Sequence, residues 1–415
     1  MTEESRVDPG PTTPAGPSDR ADELMVPHTP DELSVWLRSL PRDARLQVQG
    51  LGTNCLVEAG DRRVVSTVGL DKLVHRVDDF SVSVGAGVPW DRLQTQLRAA
   101  GQRIAADVPG SGTVGSMVAT GARGGLIHRF GPIRDQIIGM TVVLADGTIA
   151  HSGGTVIKNV AGYDLAKLFT NSRGRFGVIA EVVFRTRPLP GSQRTVVFSV
   201  TSDRVQEVVV ALRAGRVQLS AIDFANDSLS CLIEGDESVI AQRVARLAAS
   251  VSGLEVMTLD QEESQAHWRT LIDGQRPVVS GATLGISARS TRLLTLLDEL
   301  RDDFGSHYLG SVAHSTAGVA EVSVAGVGLG ELCERIKARV RSFGAGMELR
   351  ARSYHGVGEG LSSEEWFVDP SPVAAGALHT PETRGPRELE DVRQMGAGDL
   401  ISRIALALDP LGRFR

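Results

Sequence analysis

Cysteine is scarce in this 415-residue chain: Cys55, Cys231 and Cys333 lie far apart and form no C-x-x-C pair. That spacing excludes an iron–sulfur cluster or structural zinc site built from the chain's own thiols, and the odd number points to reduced cysteines in a cytosolic setting. Aromatic residues make up only 4%, which leaves few platforms for stacking nucleic-acid bases. Positive charge is not in excess either. The 44 Lys and Arg face 50 Asp and Glu without long blocks of either sign, which excludes the basic stripe of a nucleic-acid binder. No apolar run reaches the roughly 18 residues of a transmembrane segment. Residues 1–25 are polar and Pro-rich, so they read as a disordered tail and lack the apolar stretch of a secretory signal. Histidines never follow H-x-H or H-x-x-x-H spacing, and no metal site is expected.

What is present is an ordinary hydrophobic share, 41%, and enough length for two or three domains. Glycine is concentrated between Asp107 and Glu181, where Gly110, Gly112, Gly115 and Gly121 fall in one run. A main chain of that composition can take positive φ and present bare N–H groups to a bulky anion. The same stretch holds apolar runs at Ile137 to Leu144 and Val178 to Phe184, which read as strands.

In chain order, V-P-H-T-P-D-E-L opens a helix with Thr29 as cap, Pro30 at the first helical position, and Leu33, Val35, Trp36 and Leu40 as its apolar face. A strand at Arg45 to Gln49 enters Gly50-Leu51-Gly52-Thr53-Asn54 and a second strand follows at Cys55 to Glu58. That loop can lay N–H groups and the Thr53 hydroxyl against a phosphate, or be a plain hairpin turn. G-A-G-V-P-W at Gly85 to Trp90 suggests a Rossmann dinucleotide loop, yet Trp90 stands at the third glycine position; helix packing is the simpler account. Asp146-Gly147 marks a hairpin, Tyr163 to Phe169 a short helix with Leu165 and Leu168 facing inward, and Pro188, Pro190 and Gly191 a domain boundary. Beyond it, strands and helices alternate as two α+β units, which predicts an antiparallel sheet with helices on one face. Residues 368–396 read as a surface excursion, and Leu400, Ile404 and Leu408 as the apolar face of a closing helix stopped by Pro410 and Gly412.

Several ordered motifs carry a resemblance: G-L-G-T-N at Gly50 to Asn54, P-G-S-G-T-V-G-S-M-V-A-T-G at Pro109 to Gly121, R-F-G-P-I-R-D at Arg129 to Asp135, K-N-V-A-G-Y-D-L-A-K-L-F, S-R-G-R-F-G-V-I-A-E, and the terminal D-P-L-G. Together they resemble FAD-binding oxidoreductases of the vanillyl-alcohol oxidase / p-cresol methylhydroxylase (PCMH) type, and within these the FAD-binding E subunit of bacterial glycolate oxidase. The resemblance implies an α+β fold: a two-lobed FAD-binding PCMH-type domain at residues 26–190, a ferredoxin-like α+β cap or substrate domain at 191–367, and a C-terminal helix at 397–415 returning to the first domain. It implies that Gly50, Gly52, Thr53 and Asn54 grip the FAD pyrophosphate. Pro109, Gly110, Ser111, Gly115, Ser116 and Gly121 would line the pyrophosphate and flavin, with Val178 and Ile179 against the cofactor through their backbone. Thr53 and Asn54 stand where covalent flavoproteins of this type place a histidine, so non-covalent FAD is implied. Arg175 and Phe176 are bulkier than the family's usual G-S-x-G-T-L-G.

The implied function is a subunit of a glycolate-type 2-hydroxy-acid oxidase or dehydrogenase, cytoplasmic or held at the inner face of the membrane by partners. A larger FAD subunit and an iron–sulfur subunit are the implied partners. Alternatives are a self-sufficient FAD oxidase of an alcohol, lactone or alditol, and a non-catalytic scaffold with a flavin fold. Among histidines near glycines, His128, His314 and His355 have structural roles as their simpler reading. His355, in H-G-V-G-E, falls where catalytic relatives carry a histidine- and glycine-rich motif, and is the candidate catalytic residue.

Overall fold

A computed structural model of the protein describes residues 24–53, 62–108, 112–154, 164–273, 281–325, 330–352 and 404–414. Asn54, Pro109, Gly110, Ser111, His355, the strand expected at Cys55 to Glu58, the tail and the 368–396 excursion lie outside the described residues. The first helix, α1 (Pro30–Ser39), begins as its sequence dictates: Thr29 Oγ1 accepts from the Glu32 N–H, and the Glu32 carboxylate accepts from the His28 N–H. Its buried face is Leu33, Ser34 and Leu37. Val35 is 69% exposed, which corrects the expected apolar face, because the helix turns it away from the sheet that the first three residues cover.

Strand β1 (Leu46–Gln49) pairs in parallel with β2 (Arg63–Ser66). The larger sheet of the first unit is antiparallel, built from β3 (Leu73–Arg76), β4 (Ser81–Gly85), β6 (Ile137–Val143), β7 (Ile149–Gly153) and β8 (Val178–Arg185) in the order β3-β4-β8-β6-β7. Around it lie α2 (Trp90–Ala99), the two-residue strand β5 (Gln102–Arg103), α3 (Val114–Ala119), α4 (Ile127–Phe130) and α5 (Leu165–Phe169). Gly147, at φ +81°, closes the β6–β7 hairpin that Asp146-Gly147 announced. In α5 the residues turned fully inward are Ala166 and Phe169, while Leu165 and Leu168 are only partly buried. A core of Val82, Val84, Trp90, Leu93, Met117 and Phe184 joins α2 and α3 to this sheet.

The G-A-G at Gly85 to Gly87 has a packing cause. A Cβ on Gly85 would overlap the Leu70 carbonyl, and one on Gly87 the Thr67 carbonyl. These glycines admit the turn at Thr67–Gly69 against the end of β4, which agrees with rejecting the Rossmann reading.

After β9 (Arg187–Pro188), paired with β5, the chain builds an eight-stranded antiparallel sheet from two β-α-β-β-α-β units. The first is β10 (Ser192–Ser199), α6 (Val205–Ala214), β11 (Ala221–Ala225), β12 (Ser228–Gly235), α7 (Glu237–Ala248) and β13 (Val256–Leu259). A linking helix, α8 (Gln261–Asp273), leads to β14 (Gly281–Ser287), α9 (Ser290–Phe304), β15 (Tyr308–His314), β16 (Val319–Ala325), α10 (Gly330–Ser342) and β17 (Gly346–Arg352). The order β13-β10-β12-β11-β15-β16-β14-β17 places two ferredoxin-like units edge to edge through β11 and β15. One core runs under α6, α7, α9 and α10 and includes Phe198, Phe224, Leu293, Leu297 and Val322.

The expectation of helices on one face needs correction for α8. Its Trp268 buries with Ala221, Leu232 and Leu126, and the Trp268 indole N–H donates to Thr195 Oγ1 at 2.9 Å on the opposite face. Strand alternation sends Thr195 and Ala221 to that side, so the sheet needs a second cover there.

The chain's end returns to the first unit. Residues 404–408 are helical, Ala405 joins the core around Met117, and Phe414 joins the core of Leu33 and Leu37.

Candidate functional site: a glycine cradle and the seam beside it

The loop after β1 meets the entry of α3. A Cβ on Gly50 would strike the Thr113 side chain, and Thr113 Oγ1 itself caps α3 by accepting from the Ser116 N–H at 3.2 Å. Gly52 takes φ +77° with open space where a side chain would project. Among the described residues none accepts a hydrogen bond from the backbone N–H of Gly50, Leu51, Gly52 or Thr53. Donors without an acceptor among the described residues, on a loop that is open at Gly52, fit a pyrophosphate.

The second loop is anchored from behind: the Trp90 N–H donates to Gly112 O, the Val114 N–H to Val88 O and the Gly115 N–H to Ala86 O. A Cβ on Gly115 would lie 2.8 Å from Ala86 Cβ, so this glycine lets α3 pack against Ala86 just past the end of β4. Ser116 lies in the first turn of α3, and Gly121, at φ +57°, ends that helix, its N–H donating to Val118 O. Val178 and Ile179 open β8 with both side chains buried, opposite Val143 and Val142. Gly174, at φ +78°, approaches Val48 of β1, and the Asn171 and Arg173 N–H groups donate to Val118 O and Ala119 O. The loop that carries Arg175 and Phe176 is thus fastened across β1 and the end of α3. Phe176 packs edge-on against Phe169, ring centroids 6.1 Å apart, which gives the bulk at this position a core to fill.

Beside this cradle the first unit meets the cap sheet through a buried acid–histidine cluster. The register pairing Phe224 with Ala313 sets Asp223 of β11 opposite His314 of β15. Their Oδ1 and Nδ1 atoms are 2.7 Å apart, with 2% and 1% of the side chains exposed. Alternation turns both toward the face covered by α8 and the first unit. Gly125 fits here because a Cβ would lie 2.7 Å from Asp223 Oδ2 and from Trp268 Cζ3. Asp107 completes the cluster, its Oδ1 accepting from the Leu126 N–H at 2.9 Å, and a Cβ on Gly124 would overlap its carbonyl.

Two further contacts lock α4 to the cap: His128 Nδ1 to Thr316 Oγ1 at 2.8 Å, and the Arg129 guanidinium donating to Ser220 Oγ at 3.1 Å. The H-R-F-G stretch therefore serves the seam. Sequence reasoning named His314 and His128 but had no signal for Asp107 or Asp223, whose partners lie far along the chain.

Burial first, and the Asp223 charge second, push the Asp107 carboxyl up from 3.8 to about 7. Burial alone would lower His314, but the Asp223 charge and hydrogen bond, with Asp107 and Glu321 behind them, outweigh it and raise its pKa. The cluster holds protons between two structural units. His314 Nε2 has no partner among the described residues, and at 1% exposure it is closed to a substrate in this conformation.

A pH prediction follows from Asp107. Its folded pKa lies above its unfolded one, so the folded state keeps a proton that the unfolded chain releases, and stability falls as pH rises from about 4 to about 7. Asp107→Asn keeps an acceptor for Leu126 and removes the titration. The variant's unfolding free energy relative to the parent should climb across that window by roughly 2 to 4 kcal/mol and then level off. A difference that stays flat with pH in denaturant titrations would contradict it.

An FAD binding domain model matches residues 21–153, the span that contains the β1 loop, the α3 entry and the α4 corner. Among solved structures, the fold is similar to that of an alkyldihydroxyacetonephosphate synthase, with TM-score 0.62 over 94% of this chain and 76% of that one, at 14% identity. The family match gives the chain an FAD binding domain at residues 21–153, and the likeness to the solved structure is one of fold.

Over part of its length the chain is similar to several enzymes named for 2-hydroxy acids. It is 29% identical over 238 residues to the mitochondrial D-lactate dehydrogenase [cytochrome] 1 of Saccharomyces cerevisiae, covering 54% of this chain and 39% of the yeast protein. It is 26% identical over 227 residues to glycolate oxidase subunit GlcE of Escherichia coli, covering 52% and 62%. It is 30% identical over 175 residues to D-2-hydroxyglutarate dehydrogenase of Xanthomonas citri, covering 41% and 37%. The chain thus spans less than two thirds of each of these relatives. Its cofactor is FAD, and the open N–H groups of Gly50 to Thr53 fit it. Among the described residues no group of His, Cys, Asp and Glu is arranged to hold a metal ion, and no helix is long and apolar enough to cross a membrane.

Proposed function

We propose that this chain is the FAD-binding subunit of a 2-hydroxy-acid oxidoreductase of glycolate-oxidase type. The observation that carries the reading is the cradle of N–H donors at Gly50 to Thr53, which have no acceptor among the described residues, seated on the entry of α3 within the FAD-domain match. Support for the substrate class comes from relatives named for D-lactate, glycolate and D-2-hydroxyglutarate. When bound, the flavin supplies a hydride acceptor for the carbon bearing the substrate hydroxyl.

In this reading Gly50, Gly52, Thr53 and Asn54 hold the pyrophosphate non-covalently. Pro109, Gly110, Ser111, Gly115, Ser116 and Gly121 shape the second wall, and Val178 and Ile179 support it from β8. The cap sheet, fastened by Asp107, Asp223 and His314, excludes water from that side. His355 is the candidate acceptor of the hydroxyl proton. Likeness to proteins named as glycolate oxidase subunits supports partner subunits, an iron–sulfur subunit and a larger FAD subunit being the proposed ones for electron transfer.

The FAD-loaded chain, mixed without oxygen with glycolate, D-lactate and D-2-hydroxyglutarate in turn, should keep its flavin colour when alone and lose it when assembled with its partner subunits. Rapid bleaching of the isolated chain would contradict the subunit reading and favour a self-sufficient oxidase.

A further inference from the structure

Away from the acid–histidine cluster, the seam gathers arginines around one aromatic ring. The guanidinium carbons of Arg129, Arg187 and Arg103 lie 5.1, 5.1 and 5.7 Å from the Phe130 ring centroid. Two of them are forced together by the backbone, because the β5–β9 register sets Arg103 directly opposite Arg187. Like charges in that position repel. Arg103 is compensated by a bidentate pair with Glu234 at 2.6 and 2.7 Å, where the side chains are 15% and 3% exposed.

Arg187 has no such partner. Among the described residues nothing accepts a hydrogen bond from its guanidinium, and its Nε and the Nε of Arg185 are buried without partners. Burial and then the charges of Arg185, Arg129 and Arg103 all push the Arg187 pKa down. The Phe130 ring attracts cations through its faces but carries no charge to neutralise them. Among the described residues the cluster sets four arginines against Glu234, in a chain whose formal net charge is −6.

We propose that this arginine cluster is a binding site for a small, multiply charged oxyanion, held by Arg187, Arg129 and Arg103 between the FAD-binding unit and the cap. A planar guanidinium recognises phosphate or carboxylate oxygens through paired N–H donors. The half-buried setting of Arg103 and Arg187 favours a small ion over the side chains of a partner protein, which would need protruding donors. Because Arg103 and Arg187 belong to one unit and Glu234 and Ser220 to the other, an ion seated here also ties the two together.

The test is thermal unfolding of the FAD-loaded full chain in inorganic phosphate, in malonate and in sodium chloride of equal ionic strength, with poly-glutamate as a separate arm. FAD occupancy keeps the cofactor's own phosphate site filled. The parent should unfold several degrees higher in phosphate or malonate than in chloride, the stronger of the two distinguishing a phosphate group from a dicarboxylate. Arg187→Gln should unfold at or above the parent in chloride, since it relieves repulsion, and lose the phosphate and malonate response. Glu234→Gln should enlarge that response by raising the positive excess. Equal unfolding in all small salts, an unchanged response in Arg187→Gln, or stabilisation by poly-glutamate alone would overturn the proposal.

Discussion

Replacing Asp223 with alanine is expected to lower the unfolding free energy by about 3 to 5 kcal/mol, the range for breaking a buried charge pair by removing one partner. His314 would keep its burial and lose the carboxylate that holds its Nδ1 proton at 2.7 Å. The vacated volume borders Gly125, whose bare Cα lies close to Asp223 and Trp268, so the cost includes a cavity between cap and FAD-binding unit. Asp223→Asn should lose less, because the amide oxygen still accepts from Nδ1–H. The same substitutions remove the neighbouring charge that helps raise Asp107, so the pH-dependent gain of Asp107→Asn should shrink in an Asp223→Asn background. Denaturant titrations at pH 6 and pH 8 check both outcomes, and an Asp223→Ala protein as stable as the parent would remove the cluster from the forces that fasten the seam.

Arg413→Met should cost a similar amount and act within the first unit, at α1 and the β6–β7 turn. The Arg413 guanidinium donates to the carbonyls of Leu37, Leu40, Pro41 and Ala145 at 2.6 to 3.1 Å, and the side chain is buried. Asp409 fixes the turn beneath it by accepting from the N–H groups of Arg413 and Phe414 at 2.9 Å. Hydrogen bonds from a charged donor contribute about 1.5 to 3 kcal/mol each, and buried carbonyls left unpaired add to the loss. Because the four act together, a total of about 3 to 5 kcal/mol is expected, below their sum. The Leu46 N–H donates to Arg413 O, so this anchor also steadies β1, the strand that carries Gly50 to Thr53. Arg413→Met should therefore release FAD on gel filtration where the parent retains it, and Arg413→Lys should fall between, having the charge without the planar fork. Full retention of FAD by the methionine variant would uncouple the chain's end from the cradle.

Local chemistry was legible in the sequence where the cause is local. Thr29 with Pro30 and Glu32 specified the α1 start, and Asp146-Gly147 the β6–β7 turn. The alternation beyond Gly191 specified two α+β units. The ordered glycine motifs specified the FAD domain, and Trp90 correctly spoke against a Rossmann loop at Gly85 to Gly87. Long-range causes left no mark. Asp223 and His314 are 91 residues apart and meet only because β11 and β15 join the two cap units, while Asp107 reaches them through the fold of the FAD-binding unit. Val35 was misassigned because apolar spacing cannot say which stripe of a short helix meets the sheet. Helix α8 was missed because Glu262, Glu263, Gln265 and Arg269 leave it with little apolar signal beyond Trp268. Gly124 and Gly125 read as two more glycines of a rich run, and only the packed seam reveals what each makes room for.

The most direct test of the account is the visible spectrum of the purified full-length chain, followed by denaturation and filtration. The account predicts the two absorption bands of an oxidised flavin, near-stoichiometric with protein after reconstitution, and complete release of FAD into the filtrate, as expected for a non-covalent site with Thr53 and Asn54 after the first glycine loop. A folded, colourless protein that takes up no FAD, or a flavin that stays with the denatured chain, would contradict it.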